Sequence, residues 1–278
     1  MLTAAQLGFT ATAAGWRREV RGRALQFRRL RLRADFAQAE RLQREVFGVS
    51  DRDLASFSIL VVIQKTGGEV LGAFDGERMV GFISAYGGYV AEGPRLVSDM
   101  LAVDPAWRGG LGFAFKGLQA AVAWEAGFPL IVWTVDPLRA ANARLNFERL
   151  GATAHEYSRD VYGSDFADGL YGGLPSDRLT VEWDLTAPHV ADRLLGRSVP
   201  RKPGSLDALP EYAAPGPNQA RVAIPADIDA LLATDLPTAL AWRYRVRAAL
   251  EGAFAAGYGI DGFASASDGA WGNLLLSR

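Results

Sequence analysis

The chain has 278 residues, of which 49% are hydrophobic and 22% are charged, and its formal net charge is −1. This composition is typical of a packed protein with one large domain or two small ones. The near-zero net charge argues against a general nucleic-acid binder. The sequence holds no cysteine and two histidines, which excludes disulfides and thiolate nucleophiles and nearly excludes a multi-histidine metal site.

Three features of the sequence bear on the cellular location of the protein. No apolar run approaches the roughly 20 residues that a membrane span needs. The first twenty residues lack the charged-then-apolar order of a signal peptide. Together with the absence of cysteine, these features predict a cytoplasmic protein with no membrane partner and no metal ion.

A basic segment lies near the N-terminus, within and just after residues 1–24. Eight arginines against the single acid Glu19 occur between residues 17 and 33. One interpretation is an arm for nucleic acid or another acidic partner. The favoured one is a solvated edge strand with a loose N-terminus.

The order of hydrophobic patterns predicts mixed secondary structure up to residue 103. Asp35 is expected to cap the first helix, and Gly67-Gly68 favours a helix over a strand for residues 55–65. Asp75-Gly76 is a turn dipeptide between two strands of a hairpin. The predicted strands are 25–31, 70–74, 79–86 and 96–103.

A glycine-rich loop follows residue 103, and two further helices and three strands follow the loop. The helices are expected at 113–126 and 140–150, each ending before a glycine, and the strands at 130–135, 154–162 and 178–185. Residues 187–220, rich in proline, alanine and glycine, are predicted to be a linker.

Residues 221–278 are predicted to form a small αβ unit. A strand is expected at 220–224, a helix at about 235–256, and strands near 259–265 and 271–277. The unit contains AFAAGYGIDGF, which parallels the earlier AWEAGFPLIVW, so a degenerate half-repeat is one interpretation and two helices with glycine caps are the other. The helix should pack on the preceding domain through its apolar residues, Leu236, Leu240, Val246, Leu250 and Phe254.

Two stretches carry a resemblance to a known family: MLAVDPAWRGGLGFAFK (100–116) and WTVDPLRAANARLNFERLGA (133–152), supported by the hairpin VLGAFDGERMVGFISA. With the order of elements, they resemble the GNAT superfamily of acyl-CoA-dependent N-acyltransferases, and more narrowly a little-characterised bacterial branch of predicted acetyltransferases. The resemblance covers roughly residues 25–186. It implies an α/β (α+β) fold with a mixed, mostly antiparallel central sheet flanked by helices, on which the C-terminal αβ extension docks.

The resemblance implies that acetyl-CoA or another acyl-CoA is the co-substrate and that the glycine loop holds its pyrophosphate. Backbone N–H groups at a helix N-terminus suit such an anion. Trp107 stands where the family usually has Arg or Gln, and Arg108 fits that place only if the loop is one residue short. The expected coenzyme A contacts are Leu101, Ala102, Val103, Arg108, Gly109, Gly110, Leu111, Gly112, Phe113, Asn142 and Asn146.

Asp99 is the candidate general base, with Glu92 in the preceding loop as its substitute. The resemblance places the base on the strand before the loop, and simple alternation puts Asp99 on the face that carries Val97 and Leu101. A carboxylate that acts through water can deprotonate an amine of moderate pKa. The alternative is a solvated acid without a catalytic role.

The family's general acid is a tyrosine four residues before the helix-ending glycine, and here that place is Phe147. Either the thiolate leaves without a protein acid, or another group stands in: Tyr157, Tyr162, Asn142 or Asn146.

The resulting hypothesis is an N-acyltransferase that acylates the amine of a small molecule such as an amino acid, with acetyl or succinyl as the acyl group. The alternatives are a non-catalytic acyl-CoA-binding module and a nucleic-acid protein that uses the arginine-rich start. The sequence leaves the oligomeric state open, with a homodimer among the choices.

Overall fold

A computed structural model describes residues 2–163, 172–197, 211–212, 217–266, 269 and 271–278. The chain divides into two compact units. The first contains residues 2–132 and 184–187, and the second contains the described residues of 133–183 and 188–278. The division of the sequence into 1–24, 25–186, 187–220 and 221–278 stays a prediction, and most of the predicted linker lies outside the described residues.

The first unit is a sheet of strands in chain order, antiparallel except where β6 meets β7. Its strands are β1 (Thr10–Thr12), β2 (Gly15–Val20), β3 (Arg23–Arg29), β4 (Glu69–Asp75), β5 (Arg78–Val90), β6 (Gly93–Val103) and the first half of β7 (Leu130–Val135), whose residues from Trp133 onward belong to the second unit. Its helices are α1 (Arg33–Phe47), α2 (Phe57–Lys65) and α3 (Leu111–Glu125). Residues 55–65 therefore contain the helix that the glycine pair favours, and the predicted hairpin is present with longer strands.

Helices cover both faces of this sheet. On one face, α1 and α2 bury a core with strand residues that include Val70, Phe82 and Ala102. On the other face, the ring of Phe115 in α3 packs edge-on against Phe27, with 5.4 Å between ring centroids. The two cores leave β6 between α1 and α3, so that alternate β6 side chains point toward different helices.

The N-terminus is packed, so the prediction of a loose N-terminus is wrong. Leu2, Leu7 and Phe9 are buried, and the Phe9 ring packs edge-on against Phe27 with 5.2 Å between centroids. The arginines of the basic segment lie on paired strands, where the guanidinium groups of Arg18 and Arg29 stack over aromatic rings. Burial of the apolar residues that precede the arginines outweighs the local charge density.

Asp35 lies inside α1 and not at its N-cap. The N-cap is Leu32, and the Asp35 carboxylate accepts a hydrogen bond from the Leu32 backbone N–H at 3.3 Å. The same carboxylate accepts from Arg28 Nη2 at 2.8 Å. Asp35 thus satisfies the helix terminus from its third position, as an acid in a capping box does.

The second unit has a sheet in the order β9-β8-β11-β12-β10. Its strands are β8 (Thr153–Ser158), β9 (Arg178–Asp184), β10 (Gln219–Pro225), β11 (Gly259–Ser265) and β12 (Trp271–Ser277). Its helices are α4 (Ala140–Ala143), α5 (Pro188–Leu194), α6 (Ile228–Thr234) and α7 (Leu236–Ala255). The single helix predicted for 140–150 is α4 followed by a π-helical turn, Arg144–Arg149.

The C-terminal αβ extension docks on the part of this unit that precedes it, as predicted. β11 pairs with β8 through Ile260 and Ala154. Two arginines of α7 form ion pairs with residues that precede the extension. Arg243 Nη2 donates to Asp136 Oδ2 at 2.6 Å, and Arg247 donates to Asp177. The buried face of α7 differs from the expected one, because Leu236 is 40% exposed and Arg243 is fully buried.

In the described part of the chain, no helix is long and apolar enough to cross a membrane.

Candidate active site

A β-bulge in β6 places Asp99 outside the regular strand pairing. Ser84 of β5 pairs with Met100, while the next residue, Ala85, pairs with Ser98, so Asp99 is the extra residue. Bulges bend a strand, re-aim one side chain and occur often beside active sites. Asp99 is exposed as a residue, so a substrate or a water molecule can reach it, although protein surrounds much of its carboxyl group.

The bulge corrects the predicted facing of Asp99. Met100 packs with the α1–α2 core, whereas Ser98 accepts a hydrogen bond from Lys116 of α3 at 2.9 Å. Without the bulge, these two residues would point the same way. Asp99 therefore lies on the same face of the strand as Val97. Leu101 lies on the opposite face, toward α3, because the bulge shifts the alternation of side chains.

Asp99 lies in an environment that favours its neutral form. Loss of hydration raises the pKa of Asp99 above its ordinary value, and a hydrogen bond from the Ser84 hydroxyl, at 3.4 Å, acts in the opposite direction. A raised pKa brings a carboxylate closer to the range of an efficient general base.

Glu92 lies far from Asp99. It occupies the tip of the β5–β6 hairpin, where Arg95 forms an ion pair with it at 3.3 Å. Asp99 lies seven positions after Glu92 in the chain, or about 23 Å along an extended strand. The structure therefore does not bring the candidate base and its substitute to one place.

Along one edge, between the bulge and the glycine loop, β6 has no strand partner in the described part of the chain. Among the described residues, β6 pairs with β7 only at Leu96–Ile131 and Val97–Val132. The pairing with β5 continues to Val103, so the other edge of the strand stays in the sheet. The predicted contacts Leu101, Ala102 and Val103 lie on this segment, whose outer edge can accept an extended ligand with amide groups.

The strand leads into the glycine loop through a 3₁₀ turn, Pro105–Trp107. The Asp104 side chain accepts the Ala106 N–H at 2.9 Å and also pairs with Arg78. Gly109 has a φ of 89°, a left-handed conformation that favours glycine, and among the described residues no atom beyond its chain neighbours lies within 4 Å of where its Cβ would be. This open turn gives the backbone room for a bulky anion.

Helix α3 begins directly after Gly110. Gly110 is its N-cap, and the first helical turn contains Leu111, Gly112 and Phe113. The first N–H groups of a helix have no partner within the helix, and the helix dipole adds partial positive charge there. The predicted contacts from Arg108 to Phe113 are thus contiguous around this helix start, where Arg108 is exposed and Trp107 is buried.

A buried lysine lies behind β6, and sequence reasoning missed it. Lys116 Nζ donates to Ser98 Oγ at 2.9 Å and to Gln119 Oε1 at 3.1 Å. Burial lowers the pKa of Lys116 to about 7. The signal in the sequence is a polar pair, Lys116 and Gln119, within the otherwise apolar helix segment FAFKGLQAAVA.

Glu69 is a second buried ionisable group on the same side of the sheet. The strand register aligns Glu69, Ala85 and Ser98 in one row across β4, β5 and β6. Neither carboxylate oxygen of Glu69 has a hydrogen-bond partner among the described residues. Burial raises the pKa of Glu69 to about 8.

Replacement of Glu69 by glutamine should stabilise the protein in a pH-dependent way. Because the folded-state pKa is raised, the parent is stabilised below the unfolded pKa and loses this contribution as pH rises through about 8. Glutamine resembles the neutral acid and does not ionise. Urea denaturation should show little difference at pH 5 and an advantage of about 3 kcal/mol for Glu69→Gln at pH 8.

The exposed Glu77, in the β4–β5 turn, provides the control. Glu77→Gln should shift the unfolding free energy by a similar small amount at both pH values. An equal effect of Glu69→Gln at pH 5 and pH 8 would contradict the argument.

In the second unit, the predicted amides lie on α4 and the π-helical turn. Asn142 is exposed, whereas Asn146 and Phe147 are buried. Asn146 Nδ2 has no hydrogen-bond partner among the described residues. Buried amides normally have one, so this N–H group is available to a ligand or a water molecule. Phe147 is fully buried and has no hydroxyl to act as an acid.

Tyr157 is part of a charged network. Its hydroxyl donates to Asp177 Oδ2 at 2.6 Å, and the same carboxylate accepts two bonds from Arg247 at 2.8 and 2.7 Å. Burial and the hydrogen bond to Asp177 raise the pKa of Tyr157. Although burial acts the other way, the bonds from Arg247 and Tyr157 hold the pKa of Asp177 below its ordinary value. The Tyr157 hydroxyl therefore keeps its proton in the hydrogen bond to Asp177 and is a poor proton donor to a leaving thiolate.

Tyr162, the remaining candidate for the acid, has packing contacts, and so do the two histidines of the chain, His155 and His189. The Arg178 guanidinium stacks on the Tyr162 ring, 5.1 Å from its centroid. His189 Nε2 is 2.9 Å from the Gly151 carbonyl oxygen, and the His155 ring packs against Gly259. Within the described residues, no group of three or more histidine, aspartate or glutamate side chains is arranged to hold a metal ion.

A cavity of about 480 Å³ lies apart from the glycine loop. It is lined by the β1–β2 turn and the end of β3, including Trp16, Arg29 and Arg31. The β2–β3 turn beside the loop is at the opposite end of these strands.

Comparison with known proteins gives matches in structure alone. No protein-family model matches the chain, and no curated protein matches it. Among solved structures, the ribosomal-protein-S18-alanine N-acetyltransferase from Escherichia coli is similar, with 18% identity, a TM-score of 0.45, and coverage of 58% of this chain and 94% of that one.

Two further similar structures are a GNAT-family acetyltransferase from Streptococcus pneumoniae and Naa50 from Arabidopsis thaliana. The first is 16% identical with a TM-score of 0.43, and the second is 17% identical with a TM-score of 0.42. Each alignment covers 57% of this chain and 97% of the other. In the order of elements from β2 to β9, this chain has a bulged β6, a β7 that pairs parallel with it, and a glycine loop at the start of α3.

Proposed function

We propose that the protein is an N-acyltransferase that moves an acyl group from acyl-CoA to the amine of a small molecule such as an amino acid. Acetyl is the simplest acyl group, and succinyl is the alternative. The observation that carries the proposal is the continuity of β6: the exposed Asp99 at the bulge, the unpaired edge as far as Val103, and the glycine loop at the start of α3.

The two ends of this segment suit the two polar parts of coenzyme A. The free N–H and C=O groups of β6 can pair with the pantetheine amides, as in strand addition. The first-turn N–H groups of α3 can bind the pyrophosphate. Such an arrangement would place the thioester toward the bulge, where Asp99 lies.

The reaction requires a neutral amine. A lysine-like amine with a pKa near 10.4 is neutral in about one molecule in 2,500 at pH 7, and an α-amine with a pKa near 8 in about one in ten. In our proposal Asp99 accepts the amine proton, through a water molecule, as nitrogen bonds to the thioester carbon. The C–S bond then breaks and the electron pair leaves on sulfur. The thiol of cysteine, the nearest protein analogue, has a pKa of about 8.5. By the same chemistry, the sulfur of coenzyme A can leave as a thiolate without a protein acid.

A thiol-release screen tests the function. The full chain is incubated with acetyl-CoA or succinyl-CoA and a panel of free amines and amino acids, and free thiol is measured over time. We expect release that depends on one class of amine. Release at the rate of buffer alone for every pair would contradict the proposal.

Replacement of Gly110 by glutamate should weaken acetyl-CoA binding by about 100-fold. The φ of Gly110 is 171°, outside the left-handed region that favours glycine, and a Cβ there would lie 3.5 Å from Val20 Cγ1, an ordinary contact. The substitution is therefore compatible with the fold. A carboxylate about 5 Å from a phosphate repels it by about 3 kcal/mol at an effective dielectric constant near 20.

Isothermal titration calorimetry measures this effect, with Gly110→Ala as the matched control. The alanine variant adds the Cβ without the charge and should bind within a few-fold of the parent. If Gly110→Glu binds acetyl-CoA as tightly as Gly110→Ala, the phosphate does not lie at this loop.

A non-catalytic acyl-CoA-binding module is the second candidate. It is favoured by Phe147, which is buried where the family has its acid, and by Tyr157, whose hydroxyl is engaged by Asp177. Tight acetyl-CoA binding without release of thiol for any amine would support this candidate over the enzyme.

A further inference from the structure

We propose that Arg21, in the turn between β2 and β3, binds the pyrophosphate of acyl-CoA at the glycine loop. This inference rests on the proposed function, since it names a further residue of the same site. It gives the arginine-rich N-terminal hairpin a role in recognising the donor.

The turn holds Arg21 in a conformation that arginine rarely adopts. Val20 pairs with Arg23, so Arg21 and Gly22 form a two-residue turn, with φ values of 54° and 74°. Both angles are positive, as a type I′ turn requires, and asparagine or glycine is the usual choice there. Among the described residues other than glycine, Arg21 shares a positive φ with Asp160 alone. A bulky side chain in this region has an energetic cost, which suggests that its contacts matter.

The Arg21 side chain reaches the glycine loop directly. Its Nη1 donates to the carbonyl oxygens of Ala106, at 2.7 Å, and Arg108, at 3.1 Å. A guanidinium carries five N–H donors, and these two bonds involve Nη1 alone. In the described structure, Nε and Nη2 have no hydrogen-bond partner, and the side chain is exposed. They are the donors that remain for an anion.

A second contact fixes the hairpin against the loop. The guanidinium of Arg23 stacks over the Trp107 ring, 4.9 Å from its centroid, and pairs with Asp75. Trp107 is the residue between the two carbonyls that Arg21 holds. The hairpin that carries Arg21 is therefore held against the loop before a ligand arrives, which reduces the ordering cost of binding.

The charge balance at the loop favours an anion. The nearby acids are already engaged: Asp104 by Arg78 and the Ala106 N–H, and Asp75 by Arg23. The cations of Arg21 and Arg108 then remain beside the N-terminus of α3. Charge-assisted bonds from a guanidinium to phosphate oxygens are about twice as strong as neutral ones. A pyrophosphate that carries two negative charges satisfies this arrangement.

The test compares three donors that differ in their phosphates: acetyl-CoA, acetyl-dephospho-CoA without the 3′-phosphate, and acetyl-pantetheine without any phosphate. Binding to the full chain is measured by calorimetry. The variant is Arg21→Asn, because asparagine tolerates the positive φ and preserves the turn. Arg21→Lys keeps the positive charge but lacks the planar guanidinium that can donate two parallel hydrogen bonds. Arg17→Ala removes an exposed arginine from the same hairpin and is the control.

We expect Arg21→Asn to weaken acetyl-CoA and acetyl-dephospho-CoA by at least about tenfold, and acetyl-pantetheine by less than twofold. Arg21→Lys should fall between parent and Arg21→Asn, and Arg17→Ala should bind within about twofold of the parent. Equal weakening of all three donors would overturn the assignment, as would a loss confined to acetyl-CoA, which would point to the 3′-phosphate.

The outcomes also separate this inference from the proposed function. If the parent binds none of the donors, the proposed function fails. If the parent binds acetyl-CoA and Arg21→Asn binds it as tightly, the loop holds coenzyme A and the role of Arg21 is wrong. Thermal unfolding of each variant, with unchanged midpoints expected, shows that the turn is intact.

Discussion

Replacement of Arg243 by methionine should lower the free energy of unfolding by about 3–5 kcal/mol. Arg243 is fully buried in α7, and its Nη2 lies 2.6 Å from Asp136 Oδ2. Methionine fills much of the space but leaves the Asp136 carboxylate buried without its cation. The cost of an uncompensated buried charge exceeds the gain from burying a thioether.

Urea denaturation of the full chain measures this loss. Arg245→Met is the control on the same helix, because Arg245 is exposed and pairs with the half-exposed Glu211. An exposed ion pair contributes at most about 1 kcal/mol. If Arg243→Met and Arg245→Met cost the same, the buried pair does not stabilise the docked helix.

A double variant isolates the charge effect from the packing effect. Asp136 Oδ1 also accepts the Leu138 N–H at 2.8 Å, and asparagine keeps an acceptor for that bond. Arg243→Met with Asp136→Asn should therefore recover part of the stability that Arg243→Met loses. A double variant with the sum of the two single losses would show that the residues act independently.

The secondary structure of this chain could largely be predicted where glycine or turn residues coincide with a change in the period of the hydrophobic pattern. The hairpin around Asp75-Gly76 and the strands 259–265 and 271–277 are examples, and the last two have the predicted bounds. Helix α7 begins after Asp235, whose side chain accepts the Thr238 N–H at 3.1 Å. Such signals are local, so a sequence carries them without knowledge of the fold.

Features set by distant contacts were not readable. Alternation along 96–103 predicted one facing for Asp99, and the bulge changed it, because a bulge depends on the register with β5. The apolar start of the chain carries no local signal of its packing, because the surface that Phe9 contacts is Phe27, on β3. Arg243 was missed because an arginine in a helix is usually exposed, and its carboxylate partner is 107 residues away.

The candidate site was partly predictable for the same reason. The glycine loop and α3 are contiguous in sequence, so their geometry follows from local rules. Arg21 reaches the loop across 85 residues, and the Lys116–Ser98 bond spans 18. These contacts depend on which strands are neighbours in the sheet, so they cannot be predicted from residue spacing along the chain.

Replacement of Asp99 by asparagine should lower kcat/KM by about 10²–10⁴-fold near neutral pH, the usual contribution of a general base. Asparagine keeps the size of the side chain and its place at the bulge but cannot accept the amine proton. The loss should be greatest at low pH and smaller at high pH, where more of the amine is already neutral. Steady-state assays of thiol release between pH 6 and 10, with the amine found in the donor screen, measure this dependence.

Two further variants make the assignment of Asp99 specific. The Ser84 hydroxyl, 3.4 Å from Asp99 Oδ2, acts to lower the pKa of Asp99, so Ser84→Ala should raise that pKa further. A base must be deprotonated to act, and the acidic limb of the kcat/KM profile should therefore move to higher pH in Ser84→Ala. Glu92→Gln, at the hairpin tip, should leave the profile unchanged. A loss in Asp99→Asn that is uniform at every pH, with no shift in Ser84→Ala, would instead make Asp99 a residue that positions the substrate.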